Sequence, residues 1–344
     1  MLSYILKRIL LMVPTLIGAL TITFIVIQFV PGGPVEQIMA EARIGQRGEG
    51  TAYKASRDSD AKQIAELKKL YGFDKPAHVR YVEMLKNFAT FNLGRSFLHN
   101  KDVWQLIKEK LPVSISLGVW AFLISYLLSV PLGITKAVRE GTRFDVASTM
   151  LVLVGFAIPG FVLGVFLIVL FAGGSFFEWF PLRGLTSDNW LELSWPARIR
   201  DYFWHLALPV TCLVIGSFAE LTMLTKNTFI EEMRKQYVLV ARAKGLSQPR
   251  VLWKHIFRNA LIPLVTGFPA AFVGAFFAGS LLIETLFSLD GLGLLSYESV
   301  VRRDYPVVLG ALFVFTLIGL FVKLISDLLY VVVDRRVQFG AVAK

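Results

Sequence analysis

Six stretches of this chain are too long and too apolar to be the core helices of a water-soluble domain. They cover 9–30 and about 111–134, 146–173, 203–225, 261–287 and 307–333. Several run more than about 18 residues almost without a charge, the length that marks a membrane span. The first, Ile9 to Val30, would be about 33 Å long as a helix, enough to cross a hydrocarbon layer of about 30 Å. Hydrophobic residues make up 55% of the 344 and charged ones 18%, against about 25% charged in a soluble domain. The pattern predicts an all-α polytopic membrane protein with six transmembrane helices. The run after Lys7 and Arg8 is too long for a signal-peptide core and no cleavage-like site closes it, so it reads as a retained helix. Cys212 is the only cysteine, so no disulfide forms within the chain. Pro131, Pro159, Pro209 and Pro269 lie in or near the ends of spans and loosen helices that neighbours can repair. Gly155, Gly160 and Gly164, and Gly274 and Gly279, would let helices approach closely.

The remainder divides at the ends of these runs. Residues 1–30 form the amino-terminal transmembrane helix, which Pro31-Gly32-Gly33-Pro34 ends sharply. Residues 31–110 are too polar to insert: between 35 and 110 there are 14 basic and 10 acidic side chains. Gly45 to Asp60 has loop composition. From Ala61, the spacing of Ile64, Leu67, Leu70 and Tyr71 predicts an amphipathic helix, followed by the turn Gly72–Pro76. Residues 111–333 make the transmembrane core, with a polar loop at 227–262, and 334–344 is a tail. No GxxxxGK[ST] phosphate loop occurs, so the chain carries no recognisable nucleotide site of its own.

Charge sets the expected orientation. With the amino terminus inside, the short inner segments carry Lys7, Arg8, Lys136, Arg139, Arg143, eight basic residues from Lys226 to Arg258, and Arg335, Arg336 and Lys344. The short outer loops carry Arg183, Arg198, Arg200, Arg302 and Arg303, so the bias is 16 to 5. Both termini are expected in the cytoplasm. The net charge of +11 is explained by this asymmetry and requires no nucleic-acid partner.

The most legible polar stretch is Tyr237 to Pro263. Thr228 with Glu231 has the form of a capping box, and Phe229, Met233, Tyr237 and Val240 follow at helical spacing. Glu231 and Lys235 can pair across one turn. Arg242 and Lys244 suit a helix carboxyl end, Gly245 suits a left-handed reversal, and Ser247 with Pro249 suits the start of a second helix. The expectation is helix, glycine turn, helix at a membrane face. Taken alone, these residues also fit a plain basic cytoplasmic loop.

The run Ala241-Arg242-Ala243-Lys244-Gly245, then His255, Arg258-Asn259-Ala260 and Pro263, resembles the cytoplasmic "EAA" loop of binding-protein-dependent ABC importer permeases in its peptide-permease form. Leu239 and Val240 stand where the family's general form has Glu, a departure shared by peptide and nickel permeases. The resemblance extends along the chain. PGGP follows the first span, Glu284-Thr285-Leu286-Phe287-Ser288 precedes Gly291-Leu292-Gly293, RRDYPV covers Arg302 to Val307, and Asp327-Leu328-Leu329-Tyr330 precedes Asp334-Arg335-Arg336, with Arg335 where Pro is usual. Within the family, PGGPV, YGFDKP, FAGGS at Phe171, FPLRGL at Phe180 and LTMLTKN at Leu221 are most similar to the Yej-type permeases of oligopeptide and microcin C uptake.

The resemblance implies a type I importer permease in the bacterial inner membrane, working by alternating access. Its implied partners are a second permease subunit forming a heterodimer, a cytoplasmic ABC ATPase docking on the loop, a periplasmic solute-binding protein, membrane lipid and a peptide substrate. ATP and Mg would be bound by the ATPase, so this chain has no cofactor and is not itself an enzyme. Independently of resemblance, His78, His99, His205 and His255 have no metal-ligand spacing and no catalytic constellation stands out. Ionisable groups inside the spans are Glu220, Glu284, Lys323 and Asp327, each costing about 2.5–3.5 kcal/mol at a helix centre unless it faces a cavity or a partner. Lys323 and Asp327, four apart, are expected to pair, and Glu220 and Glu284 are candidates for the solute path. A secondary transporter driven by an ion gradient is the alternative from another class. It calls for internal repeats or paired broken helices, of which the sequence gives no sign.

Overall fold

The computed structural model describes residues 2–29, 74–174, 176–277 and 281–333, and every long element in it is an α-helix. PGGP, the expected loop at 45–60, the amphipathic helix from Ala61 and the tail from Asp334 lie outside the described residues. The helices are α1 (Leu2–Phe29), α2 (Ala77–Ala89), α3 (Val103–Val138), α4 (Arg143–Ala157), α5 (Gly160–Phe171), α6 (Trp195–Met233), α7 (Gln236–Ala243), α8 (Gln248–Ala260), α9 (Ile262–Phe277), α10 (Leu281–Leu286), α11 (Leu292–Val301) and α12 (Tyr305–Val333). Four are long and apolar enough to cross a membrane, and six spans result if the bent pairs α4–α5 and α8–α9 each count as one.

The helices overrun the expected spans. At 39 residues, α6 is about 58 Å long, nearly twice a hydrocarbon core, so both ends project into polar surroundings. The span expected over 146–173 is not one helix: it bends by 90° between α4 and α5. Pro159 is the cause, because its ring disfavours the helical region for the preceding residue, and Ile158 is extended at φ −89° and ψ 116°. Within the fifth expected span, 261–287, the described residues Ile262–Phe277 and Leu281–Leu286 are helical. Pro131, Pro209 and Pro269 remain inside helices.

The chain divides into two compact units. One contains 111–294 and the end of α12 from Gly319. Its apolar core joins Leu117 and Ala121 of α3, Leu206 to Val214 of α6, and Ile283, Phe287 and Leu289. Here the glycines behave as expected of close contacts: a Cβ on Gly160 would lie 2.6 Å from the Cys212 carbonyl oxygen, and one on Gly164 would lie 2.6 Å from Leu286. Gly274 differs, with open space around it, and Gly279 is outside the described residues.

The other unit contains 2–110 and 295–318. Asp304, expected in an exposed outer loop, is fully buried there and accepts hydrogen bonds from Ser96 Oγ, Phe97 N and Leu98 N. Phe88 and Phe91 pack on Phe313, and Gly310 makes room for Val103 and Leu93. The ion pair expected between Lys323 and Asp327 is absent from the ion pairs of the described residues, and Lys323 is exposed.

Candidate functional site

The loop 227–262 begins with a correction. Thr228 does not cap a helix: it lies inside α6, with its hydroxyl donating to Thr225 O at 3.0 Å. Helix α6 runs on to Met233, and the chain breaks at Lys235, which is extended at φ −73° and ψ 147° and begins α7. Lys235 is held by two carboxylates, Glu231 at 3.6 Å and the closer Glu232. The hydrogen bond that Lys235 donates to Glu232, with the surrounding negative charge, raises the Lys235 pKa.

The glycine turn forms as the residues require. Gly245 has φ +80°, its N–H donates to Arg242 O at 2.9 Å, and Leu246 N donates to Ala241 O at 3.3 Å. Those two bonds are the Schellman arrangement, which satisfies carbonyls at the end of α7. Ser247 then occupies the cap position of α8 without a side-chain cap bond, and Pro249 sits in its first turn. The loop rests on a core of its own, in which Val238 and Ala241 of α7 and Val251, Ile256 and Ala260 of α8 meet Ile134 and Ala137 of α3 and Phe229 of α6.

A polar lock crosses this core. The Tyr237 hydroxyl donates to Glu232 Oε2 at 2.7 Å and accepts from Asn259 Nδ2 at 3.3 Å. Asn259 also donates to His255 O at 3.4 Å, where α8 widens into a π turn over Leu252–Ile256. Burial, together with the bond to Glu232, raises the Tyr237 pKa, so the phenol keeps its proton.

Of the expected site residues, Ala241 is buried in the core, His255 and Asn259 are half-buried, and Arg242, Ala243, Lys244, Gly245, Arg258 and Pro263 are exposed. The structure adds three exposed apolar residues that the motif itself does not include. Leu239 is 60% exposed, Val240 52% and Trp253 57%, an apolar set among Arg242, Lys244 and Lys254. They form an exposed apolar set on a basic surface. Their sequence signal was there: Leu239 and Val240 are the residues standing in place of Glu.

The two candidate solute-path carboxylates separate. Glu220 is exposed on α6. Glu284 is fully buried, accepts from Leu294 N at 2.7 Å and lies against Gly291. No group of His, Cys, Asp or Glu suited to a metal occurs among the described residues.

Long apolar helices, two bent spans and a basic loop packed on α3 and α6 define a multi-pass membrane protein. The family model "binding-protein-dependent transport system inner membrane component" matches residues 129–339. The chain is 52% identical to the peptidoglycan transport system permease protein YejB of Agrobacterium fabrum, over 98% of each chain. It is 50% identical to the inner membrane ABC transporter permease protein YejB of Escherichia coli O157:H7, over 98% of this chain and 99% of the other. It is 31% identical to the oligopeptide transport system permease protein AppB of Bacillus subtilis, over 98% of this chain and all of that one. The chain belongs to this family of binding-protein-dependent inner-membrane transport components. That membership decides against a secondary transporter, whose broken helices the bends at Ile158 and Leu261 otherwise resemble.

Proposed function

We propose that this chain is one of two permease subunits of an ATP-driven importer that carries peptides, in the range of oligopeptides or microcin C-like compounds, across the inner membrane by alternating access. The observation that carries the reading is the packed loop 236–260, which presents Leu239, Val240 and Trp253 beside Arg242 and Lys244 on its exposed side. A cytoplasmic ATPase, holding ATP and Mg, docks on that surface. Its closure pushes α7 and α8, which pass the displacement to α3 and α6 through their shared core. A periplasmic binding protein delivers solute on the opposite side, and both termini lie in the cytoplasm, as the basic asymmetry favours. Lys136 and Lys226 prove partly or fully sequestered, yet the bias keeps its direction without them. Peptide as the cargo rests on the relatives' names. Glu220, exposed on α6, is the better of the two carboxylates for a place along the solute path.

The docking surface is tested by co-purification. Trp253→Asp, on an exposed position, leaves the chain folded and in the membrane while removing the ATPase from the purified complex. An ATPase retained at the wild-type ratio in both Trp253→Asp and Leu239→Asp contradicts the assignment.

A further inference from the structure

The end of α3, the first turn of α4 and the later part of α6 meet at three charges. Lys136 Nζ, fully buried, donates to Asp145 O at 3.0 Å, Ser148 Oγ at 2.8 Å and Thr149 Oγ1 at 2.6 Å, and lies 3.3 Å from Asp145 Oδ1. Lys226 Nζ donates to both carboxylate oxygens of Asp145, each at 2.7 Å. Gly141 N adds a further bond to Asp145 Oδ2 at 3.2 Å. Two ammonium groups therefore share one carboxylate in a sequestered site.

The electrostatics distinguish the two lysines. Lys136 and Asp145 already form a neutral pair, with the ammonium saturated by hydroxyl and carbonyl oxygens, as a buried ion pair needs. Lys226 is surplus to charge balance. What it adds is a connection, since it stands on α6 eight positions before Arg234, where α6 gives way to α7. The same joint is tight elsewhere. A Cβ on Gly133 of α3 would lie 2.5 Å from Thr225 Cβ of α6, and Arg234 Nη2 donates to Glu140 Oε1 at 2.9 Å.

We propose that Lys226 is a positioning residue that locks the amino end of α4 to α6, so that a push received by α7 and α8 moves α3, α4 and α6 as one body. The proposal rests on the ATPase-docking reading and names the device that carries its motion onward. Small displacements pass through a packed structure only where the elements are joined; a loose joint absorbs them.

The test uses the complete transporter, with spin labels at Arg143→Cys on α4 and Glu231→Cys on α6 in a Cys212→Ala background. With Lys226 present, the label separation is the same at rest and after trapping with ATP and vanadate. With Lys226→Met, abundance stays near normal because Lys136–Asp145 remains neutral. The separation broadens at rest and shifts on trapping, and peptide uptake per ATP falls about tenfold, the scale of one charge-assisted hydrogen bond. Lys226→Arg restores the single separation. The lock is refuted if the separation shifts on trapping with Lys226 in place, if Lys226→Met leaves it unchanged, or if Lys226→Met only lowers abundance while the surviving protein behaves as wild type. Failure of the docking reading looks different. No ATPase co-purifies and no nucleotide is trapped, while the resting separation still broadens in Lys226→Met.

Discussion

The carboxylate of Glu284 closes over Gly291 so tightly that a Cβ on that glycine would lie 2.6 Å from its carbon and from one of its oxygens. The same side chain accepts from Leu294 N, and Ser114 Oγ of α3 accepts from Leu292 N at 2.8 Å. The ETLFS and GLG motifs are thus two halves of one turn, a buried acceptor and the glycine that admits it. Gly291→Ala is expected to destabilise the chain by about 1–3 kcal/mol through overpacking against a group that cannot leave its hydrogen bond. The check is the midpoint of thermal unfolding in detergent, followed by the Cys212 thiol. A midpoint equal to wild type would show that Glu284 moves aside freely.

The glycine turn gives a second prediction. Nothing lies within 4 Å of a Cβ at Gly245, so substitution there meets no clash, and its cost comes from φ +80° alone. Gly245→Ala should cost about 1–2 kcal/mol, and Gly245→Val more because β-branching resists this region. Gly245→Val is therefore expected to insert normally, misplace α7 against α8 and uncouple ATP hydrolysis from uptake. Wild-type uptake per ATP in that variant would show that the turn geometry is dispensable.

Orientation gives a third. In a Cys212→Ala background, cysteines at Ser59 and Arg302 should react with an impermeant thiol reagent applied outside spheroplasts, and one at Gln248 should not. Arg302 is exposed, whereas the neighbouring Asp304 is sealed against Ser96 and would report burial rather than sidedness. Labelling of Gln248→Cys in sealed cells would invert the proposed topology.

Legibility followed the local physics. Gly245 and Pro249 announce a turn and a helix start, and both stand where expected, because left-handed φ and a missing N–H are properties of single residues. The break at Lys235 has no such residue; ion pairs with Glu231 and Glu232 accompany it, and the helical spacing of Phe229, Met233 and Tyr237 runs straight across it. Three span ends were read short for one reason. Reading hydropathy ends a span at the first charge, which excluded Lys136, Asp145 and Lys226 by one or two positions each. The helices continue through those charges because the charges satisfy one another, a relation between residues 81 positions apart that no local window contains. Of the two pairs that spacing suggested, Glu231 with Lys235 stands at 3.6 Å, while Lys323 with Asp327 is absent from the ion pairs of the described residues.

On the proposed function, this chain moves solute for an ATPase docked on α7 and α8. The most direct measurement is uptake of a labelled tripeptide into proteoliposomes holding this chain, its partner permease and the ATPase, with the binding protein on the uptake side. Uptake is expected to require ATP on the loop side, to persist when proton and sodium gradients are collapsed, and to vanish with Trp253→Asp. Uptake without ATP that follows an imposed ion gradient would contradict it.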